Sequence, residues 1–139
     1  MANALYDKGR EAFLNGDIDW LNDNIKVTLV DTNDYTVNLS TDQFYSSIPV
    51  AARVASSANL SSKTSTSGVA DAADVLFTSV GGTGTADVSE ALVIWQDTGV
   101  EASSRLIAYI DVASGLPVTP NGGDITVQWD NGSNKIFKL

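Results

Sequence analysis

Carboxylates are the side chains in this sequence with the clearest capacity for chemistry, because the 139-residue chain contains neither cysteine nor histidine. Without those residue types there is no thiolate nucleophile, no imidazole base, and no thiolate or imidazole ligand for a metal. Seventeen Asp and Glu residues accompany eight Lys and Arg residues, which gives a net charge of −9 at pH 7. Any catalysis or metal binding would therefore depend on carboxylates and hydroxyls.

The densest acidic cluster consists of Asp17, Asp19 and Asp23, which invites a calcium interpretation. An EF-hand loop needs a glycine at its sixth position and a glutamate at its twelfth. Counted from Asp17, those positions hold Asn22 and Thr28, so the EF-hand pattern is absent. A weak calcium site of another kind at Asp17 and Asp19 stays open beside the simpler interpretation of solvated turn carboxylates. We expect no resident metal and no cofactor.

Asp71 and Asp74 are close enough in sequence to suggest the acid and base of a glycoside hydrolase. Seventeen carboxylates would give such pairs by chance, however, and nothing in their surroundings distinguishes an acid from a base. Ser62 and Lys63 lie in a hydroxyl-rich tract, and the sequence contains no Gly-x-Ser-x-Gly motif. We therefore expect neither catalytic nor cofactor-binding residues, and no enzymatic activity.

The net charge also restricts the partners of the chain. An acidic surface repels phosphate backbones, since nucleic-acid affinity comes mainly from cations, and the same repulsion disfavours anionic membranes. No run of about 18 apolar residues is present to span a bilayer. The first residues lack the basic and apolar regions of a secretory signal. We expect synthesis in the cytoplasm and no nucleic-acid or membrane partner.

Residues 3–14 have partial helical spacing of their apolar side chains, and Gly16 provides a plausible C-terminal stop. Gly9 is unfavourable inside a helix by up to about 1 kcal/mol relative to alanine, so packing must hold this helix in place. We divide the single expected domain into an N-terminal helix or arm, residues 1–20, and a β body, residues 24–139. The arm is expected to be separable from the body.

From residue 24 onward the apolar spacing changes to the alternation that is typical of β-strands. Ile25–Val30 alternates until its end, which predicts a strand with one buried face. The Asn-Gly pair at 131–132 lies between alternating runs, 124–130 and 133–139, and is the strongest short signal for a hairpin. The other expected features are strands at 35–39, 75–80, 91–96 and 106–112, small-residue strands within 51–68, and a glycine-rich tip at 81–85.

Roughly eight or nine short strands with turn signals between them indicate an all-β protein. The expected architecture is an antiparallel β-sandwich or a jelly-roll-like barrel with a short N-terminal helix or arm. Trp95 and Tyr109 lie in strongly apolar strands and should belong to the core. Trp20 lies beside the acidic turn and is expected to be exposed, where it would suit a sugar-binding surface.

Segments along nearly the whole chain resemble small virion structural proteins of tailed bacteriophages, with the weakest similarity across residues 80–90. The segments that carry the resemblance are MANALYDKGREAFL (1–14), GDIDW (16–20), IKVTLVD (25–31), QDTGV (96–100), SRLIAYID (104–111) and GLPVTPNGGDI (115–125). They are similarities of whole segments and include no catalytic motif.

The resemblance implies a capsid decoration, or cement, protein on the surface of the virion head. Such a protein binds the outside of the expanded shell as a trimer or dimer, so the expected partners are the major capsid protein and further copies of the chain. The acidic charge suits that outer surface. The residues expected to make subunit or capsid contacts are Leu5, Tyr6, Arg10, Phe13 and Trp20. The alternatives are a tail tube or adaptor component and a surface module that binds glycans or receptors.

Overall fold

The computed structural model describes residues 3–81 and 88–139. This part of the chain contains one α-helix and ten strands, together with short 3₁₀ turns at Tyr45–Ser47, Val50–Ala52 and Glu101–Ser103. In chain order the elements are β1 (Ala4–Leu5), α1 (Asp7–Asn15), β2 (Ile25–Val30), β3 (Arg53–Ser56), β4 (Thr64–Thr66), β5 (Val69–Asp71), β6 (Val75–Phe77), β7 (Ala91–Gln96), β8 (Leu106–Ile110), β9 (Ile125–Val127) and β10 (Phe137–Lys138).

Antiparallel pairing organises the described strands into one central sheet and two smaller sheets. The central sheet has the order β1-β8-β7-β2-β3, and the smaller sheets have the orders β10-β5-β4 and β6-β9. Val27 and Ile94 of the central sheet share one buried cluster with Ala70 and Phe77 of the smaller sheets. The fold is therefore all-β and sandwich-like with a short N-terminal helix, which confirms the expected fold class.

β7 and β8 are apolar along almost their whole length because both faces of the central sheet are covered. In β7, Leu92 and Ile94 belong to the cluster shared with the smaller sheets, which we call the inner core. Val93 and Trp95 belong to a second cluster on the opposite face, which we call the outer core. The segment between β2 and β3 covers this opposite face and contributes Tyr45 to the outer core. The expectation that Trp95 is a core residue is confirmed.

Thr28 shows that the prediction of a single buried face for β2 is wrong, because its side chain is fully buried. The Thr28 hydroxyl accepts a hydrogen bond from the Trp95 indole at 2.9 Å. It is also hydrogen-bonded to the hydroxyls of Tyr45 at 3.0 Å and Ser56 at 2.8 Å. These polar partners satisfy the threonine inside the core, so the alternation in β2 does not mark a solvated face.

The N-terminal segment takes part in the central sheet, whereas the sequence suggested an arm set apart from the β body. Ala4 pairs with Tyr109 and Leu5 pairs with Ala108, which makes β1 an edge strand of the sheet. The helix consequently begins at Asp7, four residues later than expected. It ends as expected, because Gly16 adopts a left-handed conformation with φ 77°. The Gly16 amide donates hydrogen bonds to carbonyl oxygens of the last helical turn.

Gly9 lets the backbone of α1 lie directly against β8. A Cβ atom at this position would lie 2.6 Å from the Leu106 carbonyl oxygen and 3.2 Å from the Ile107 Cα atom. Real Cβ atoms do not approach backbone atoms so closely, so a side chain fits only if the helix moves away from the strand. The residue that looked unfavourable for the helix is therefore what permits its packing.

The hairpin expected around the Asn-Gly pair at 131–132 is not formed. β9 pairs with β6, which places Val127 opposite Val75, and β10 pairs with β5, which places Phe137 opposite Ala70. The strands on either side of the Asn-Gly pair therefore have partners in different sheets. Packing against distant strands prevails here over the local turn signal.

Residues 35–39 form no strand either, although their alternation predicted one. Tyr35, Val37 and Leu39 pack against the outer core, and the Leu39 carbonyl accepts the amide of Asp7 at 2.8 Å. The other expected strands are present, as β3 and β4 within residues 51–68 and as β6, β7 and β8. The tip expected at 81–85 lies outside the described residues from residue 82 onward.

We expect Gly9→Ala to lower the free energy of unfolding by about 1–3 kcal/mol, the usual cost of overpacking, although alanine is the better helix former. Chemical denaturation followed by tryptophan fluorescence measures this change. Leu14→Ala in the same helix is the control, because Leu14 is 87% exposed, and it should change the free energy by no more than about 0.5 kcal/mol. A Gly9→Ala protein as stable as the parent would contradict the close contact.

Candidate functional site

Three aromatic rings from different parts of the chain meet at the end of α1. Phe13 comes from the last turns of α1, Trp20 from the loop after it, and Phe137 from β10. The Phe137 ring centroid lies 6.0 Å from that of Phe13 and 5.3 Å from that of Trp20, with the Trp20 contact edge to face. The Trp20 indole donates a hydrogen bond to the Thr64 carbonyl in β4 at 3.0 Å, which fixes the ring against the three-stranded sheet.

These rings line a surface groove of about 400 Å³, which we call the aromatic groove. Leu21 and Leu139 also line the groove and are 49% and 60% exposed. The remaining lining residues are Gly16, Ile18, Asp19, Ser65, Gly68 and Ala70. Exposed leucines beside aromatic rings form an apolar patch on a strongly acidic protein, and such patches are typical of interaction sites.

The loop between α1 and β2 is ordered by hydrogen bonds to its own carboxylates. Asp19 Oδ1 accepts the amides of Leu21 at 3.1 Å and Asn22 at 3.2 Å, while its Oδ2 accepts the Asn22 side-chain amide at 2.8 Å. Hydrogen bonding from the Asn22 side chain, followed by that from its backbone, lowers the pKa of Asp19 below its usual value. Asp23 is anchored as well, because its Oδ2 accepts the Gln96 side-chain amide at 2.7 Å. Asp19 therefore places a fixed negative charge in the lining of the groove.

The calcium alternative at Asp17 and Asp19 gains no support from this geometry. Both oxygens of Asp19 accept hydrogen bonds from the loop itself, and an Asp17 oxygen lies 3.5 Å from an Arg105 guanidinium nitrogen. Within residues 3–81 and 88–139, no group of three or more acidic side chains is arranged to hold a metal ion. Asp74, of the other acidic pair, accepts the backbone amide of Trp129 at 3.0 Å.

The structure brings together two of the five residues expected to make contacts. Phe13 and Trp20 both line the aromatic groove. Trp20 is only 6% exposed, however, so the expectation that it is an exposed residue is wrong. Its ring is covered by Phe137 and by the three-stranded sheet, which the sequence places far from it.

The other three expected residues lie elsewhere. Leu5 and Arg10 line a smaller neighbouring groove, where Leu5 is buried and Arg10 is exposed. Tyr6 is fully buried in the outer core, so it reaches no partner in this conformation. Leu21 and Phe137 were not identified from the sequence as groove residues. The alternation of residues 136–139 is the sequence signal that places Phe137 and Leu139 on one face of the strand.

No protein-family model and no curated protein sequence matches the chain, so these comparisons do not assign the groove to a family. In the part of the chain that the structure describes, no helix has both the length and the apolar character needed to cross a membrane.

The buried Tyr6 phenol belongs to a short chain of hydrogen bonds. The Tyr35 hydroxyl donates to an Asp42 carboxylate oxygen at 2.6 Å, so Tyr6 must be the donor in the 3.1 Å bond between the two phenols. Burial is the main cause that raises the pKa of both Tyr6 and Tyr35. Burial also raises the pKa of Tyr109.

We predict that alkaline pH unfolds the protein as these phenols ionise. A tyrosine in the unfolded chain loses its proton near pH ~10. The pKa values of Tyr6, Tyr35 and Tyr109 are higher in the folded chain than in the unfolded chain. The stability that these protonated phenols contribute is therefore complete below about pH 10 and is lost as the pH rises above it. In a titration followed by tyrosinate absorbance and circular dichroism, Tyr6, Tyr35 and Tyr109 should ionise together with the loss of β structure. The urea-unfolded chain is the control, and ionisation of these three tyrosines near pH ~10 with intact β structure would contradict the prediction.

Proposed function

We propose that this chain is a structural protein of a tailed-bacteriophage virion, a capsid decoration protein that binds the outer surface of the expanded head and stabilises it. The proposal combines the segment similarities to small virion proteins with the character of the surface. A net charge of −9 suits an outer shell surface better than one that faces packaged DNA. The partners would be the major capsid protein and further copies of the chain.

The observation that carries the proposal is the position of Phe13 and Trp20. Both belong to the segments that carry the resemblance, and both line an apolar surface groove with exposed leucines at its margin. A docking surface of this kind buries apolar area against a partner, which is the main favourable contribution to protein association. The contact would then be made by a preformed surface of the folded domain and not by a free arm.

A preformed surface has a consequence for the strength of binding. An arm that orders on binding loses conformational entropy at that step, whereas residues already held in place lose little. Phe13 is held by α1 and Trp20 by its bond to Thr64. Decoration through this groove therefore requires no folding of residues 3–20.

We expect the purified protein to cosediment with expanded heads that lack it and to saturate them at a fixed ratio to the shell subunit. Isolated tails serve as the control particle. Binding to tails alone would instead indicate a tail tube or adaptor component. Binding to neither particle would contradict the proposal and leave the glycan- or receptor-binding alternative.

Leu21→Gln should weaken binding to heads by about tenfold, because a leucine side chain contributes roughly 1.5–3 kcal/mol when it is buried. Leu76→Gln is the matched control, since Leu76 is 54% exposed and Leu21 is 49% exposed. Leu76 lines a different groove, between β3 and β6. If both variants bind heads as tightly as the parent protein, the aromatic groove is not the contact surface.

A further inference from the structure

The aromatic groove combines rings, aliphatic side chains and one fixed negative charge in a single cleft. Phe13, Trp20 and Phe137 supply the rings, and the Phe137 centroid lies 6.0 Å from that of Phe13 and 5.3 Å from that of Trp20. Leu21 supplies an exposed aliphatic wall, and Asp19 supplies an exposed carboxylate, which is ionised at neutral pH. The half-buried rings of Phe13 and Phe137 and the exposed carboxylate of Asp19 both attract cations, while the leucine favours an aliphatic chain.

We infer that the aromatic groove is a receptor for one arginine or lysine side chain presented by the surface of a partner protein. The aliphatic stem of that side chain would lie against Leu21 and Leu139, and its cationic end would lie between the rings and Asp19. An uncharged or anionic side chain would not use all three kinds of lining group. For the identity of the partner, the inference rests on the proposed function and points to a basic residue of the capsid shell.

Charge complementarity favours a different protein over a second copy of this chain. Two copies carry a net charge of −9 each, which opposes their association. Several of the chain's own cations are already in ion pairs, namely Lys8 with Glu11, Lys26 with Asp97, Arg53 with Glu101 and Arg105 with Asp17. Lys63 is also engaged, because its amine donates to the Asp23 carbonyl. The net charge therefore favours a partner that carries more basic than acidic residues.

The test uses N-acetyl-arginine methylamide as the probe and the full isotope-labelled chain as the receptor. Nuclear magnetic resonance follows the indole N–H signals of the three tryptophans during titration. We expect a saturable shift of the Trp20 signal that weakens as salt is added, because salt screens exposed charges. N-acetyl-norleucine methylamide, which has an aliphatic side chain without charge, should bind clearly more weakly.

Asp19→Asn should weaken binding of the arginine probe by about two- to fivefold, as expected for the loss of an exposed ion pair. Asp34→Asn removes an exposed charge from a different turn and should leave binding unchanged. Leu21→Lys should abolish binding, because its own amine would occupy the groove. Unchanged Trp95 and Trp129 indole signals would show that each variant is folded.

Three outcomes would overturn the inference: no shift of the Trp20 signal, equal binding of the norleucine probe, or equal effects of Asp19→Asn and Asp34→Asn. None of them depends on phage particles. A protein that binds the arginine probe as expected but does not bind heads would retain the cation receptor and contradict the proposed decoration function.

Discussion

The close contact between Gly9 of α1 and the backbone of β8 is the constraint on which the N-terminal half of the structure depends. A Cβ at Gly9 would lie 2.6 Å from the Leu106 carbonyl oxygen, so the helix can take this position only with glycine there. The pairing of β1 with β8 holds the same segment from its other end. Together these contacts direct Phe13 and the following loop toward the three-stranded sheet. The aromatic groove is therefore a product of the whole fold and not of the N-terminal segment alone.

Local sequence patterns predicted β7 and β8 well because burial on both faces leaves a nearly continuous apolar run. Ala91–Gln96 was expected and observed with the same bounds, and β8 differs only in ending at Ile110. The patterns failed where the structure is decided by distant partners. The Asn-Gly pair at 131–132 has the right residues for a hairpin, yet β9 and β10 belong to different sheets. Nothing local to residues 35–39 indicates that the segment covers the central sheet instead of joining it.

The sequence predicted the contribution of Phe13 and Trp20 to the candidate site but not the contribution of Leu21 and Phe137. Phe13 and Trp20 were identified from their segment, but Trp20 was expected to be exposed because its sequence neighbours are acidic. Its burial depends on Phe137 and on the Thr64 carbonyl, which are far away in sequence. Tyr6 illustrates the same error, because it was expected to contact a partner and is fully buried beside Tyr35. Contacts between residues so distant in sequence have no local signature.

Native-state hydrogen exchange at the Tyr6 amide tests most directly whether the N-terminal segment is an integral part of the fold. This amide donates to the Ile107 carbonyl at 3.0 Å, and the neighbouring Asp7 amide donates to Leu39. We predict that both amides exchange only through global unfolding, with the same free energy of opening as amides in the centre of β7. Exchange at Tyr6 and Asp7 through a smaller opening, while β7 stays protected, would show that the segment detaches as an arm. That result would contradict a groove preformed by α1 and the sheets.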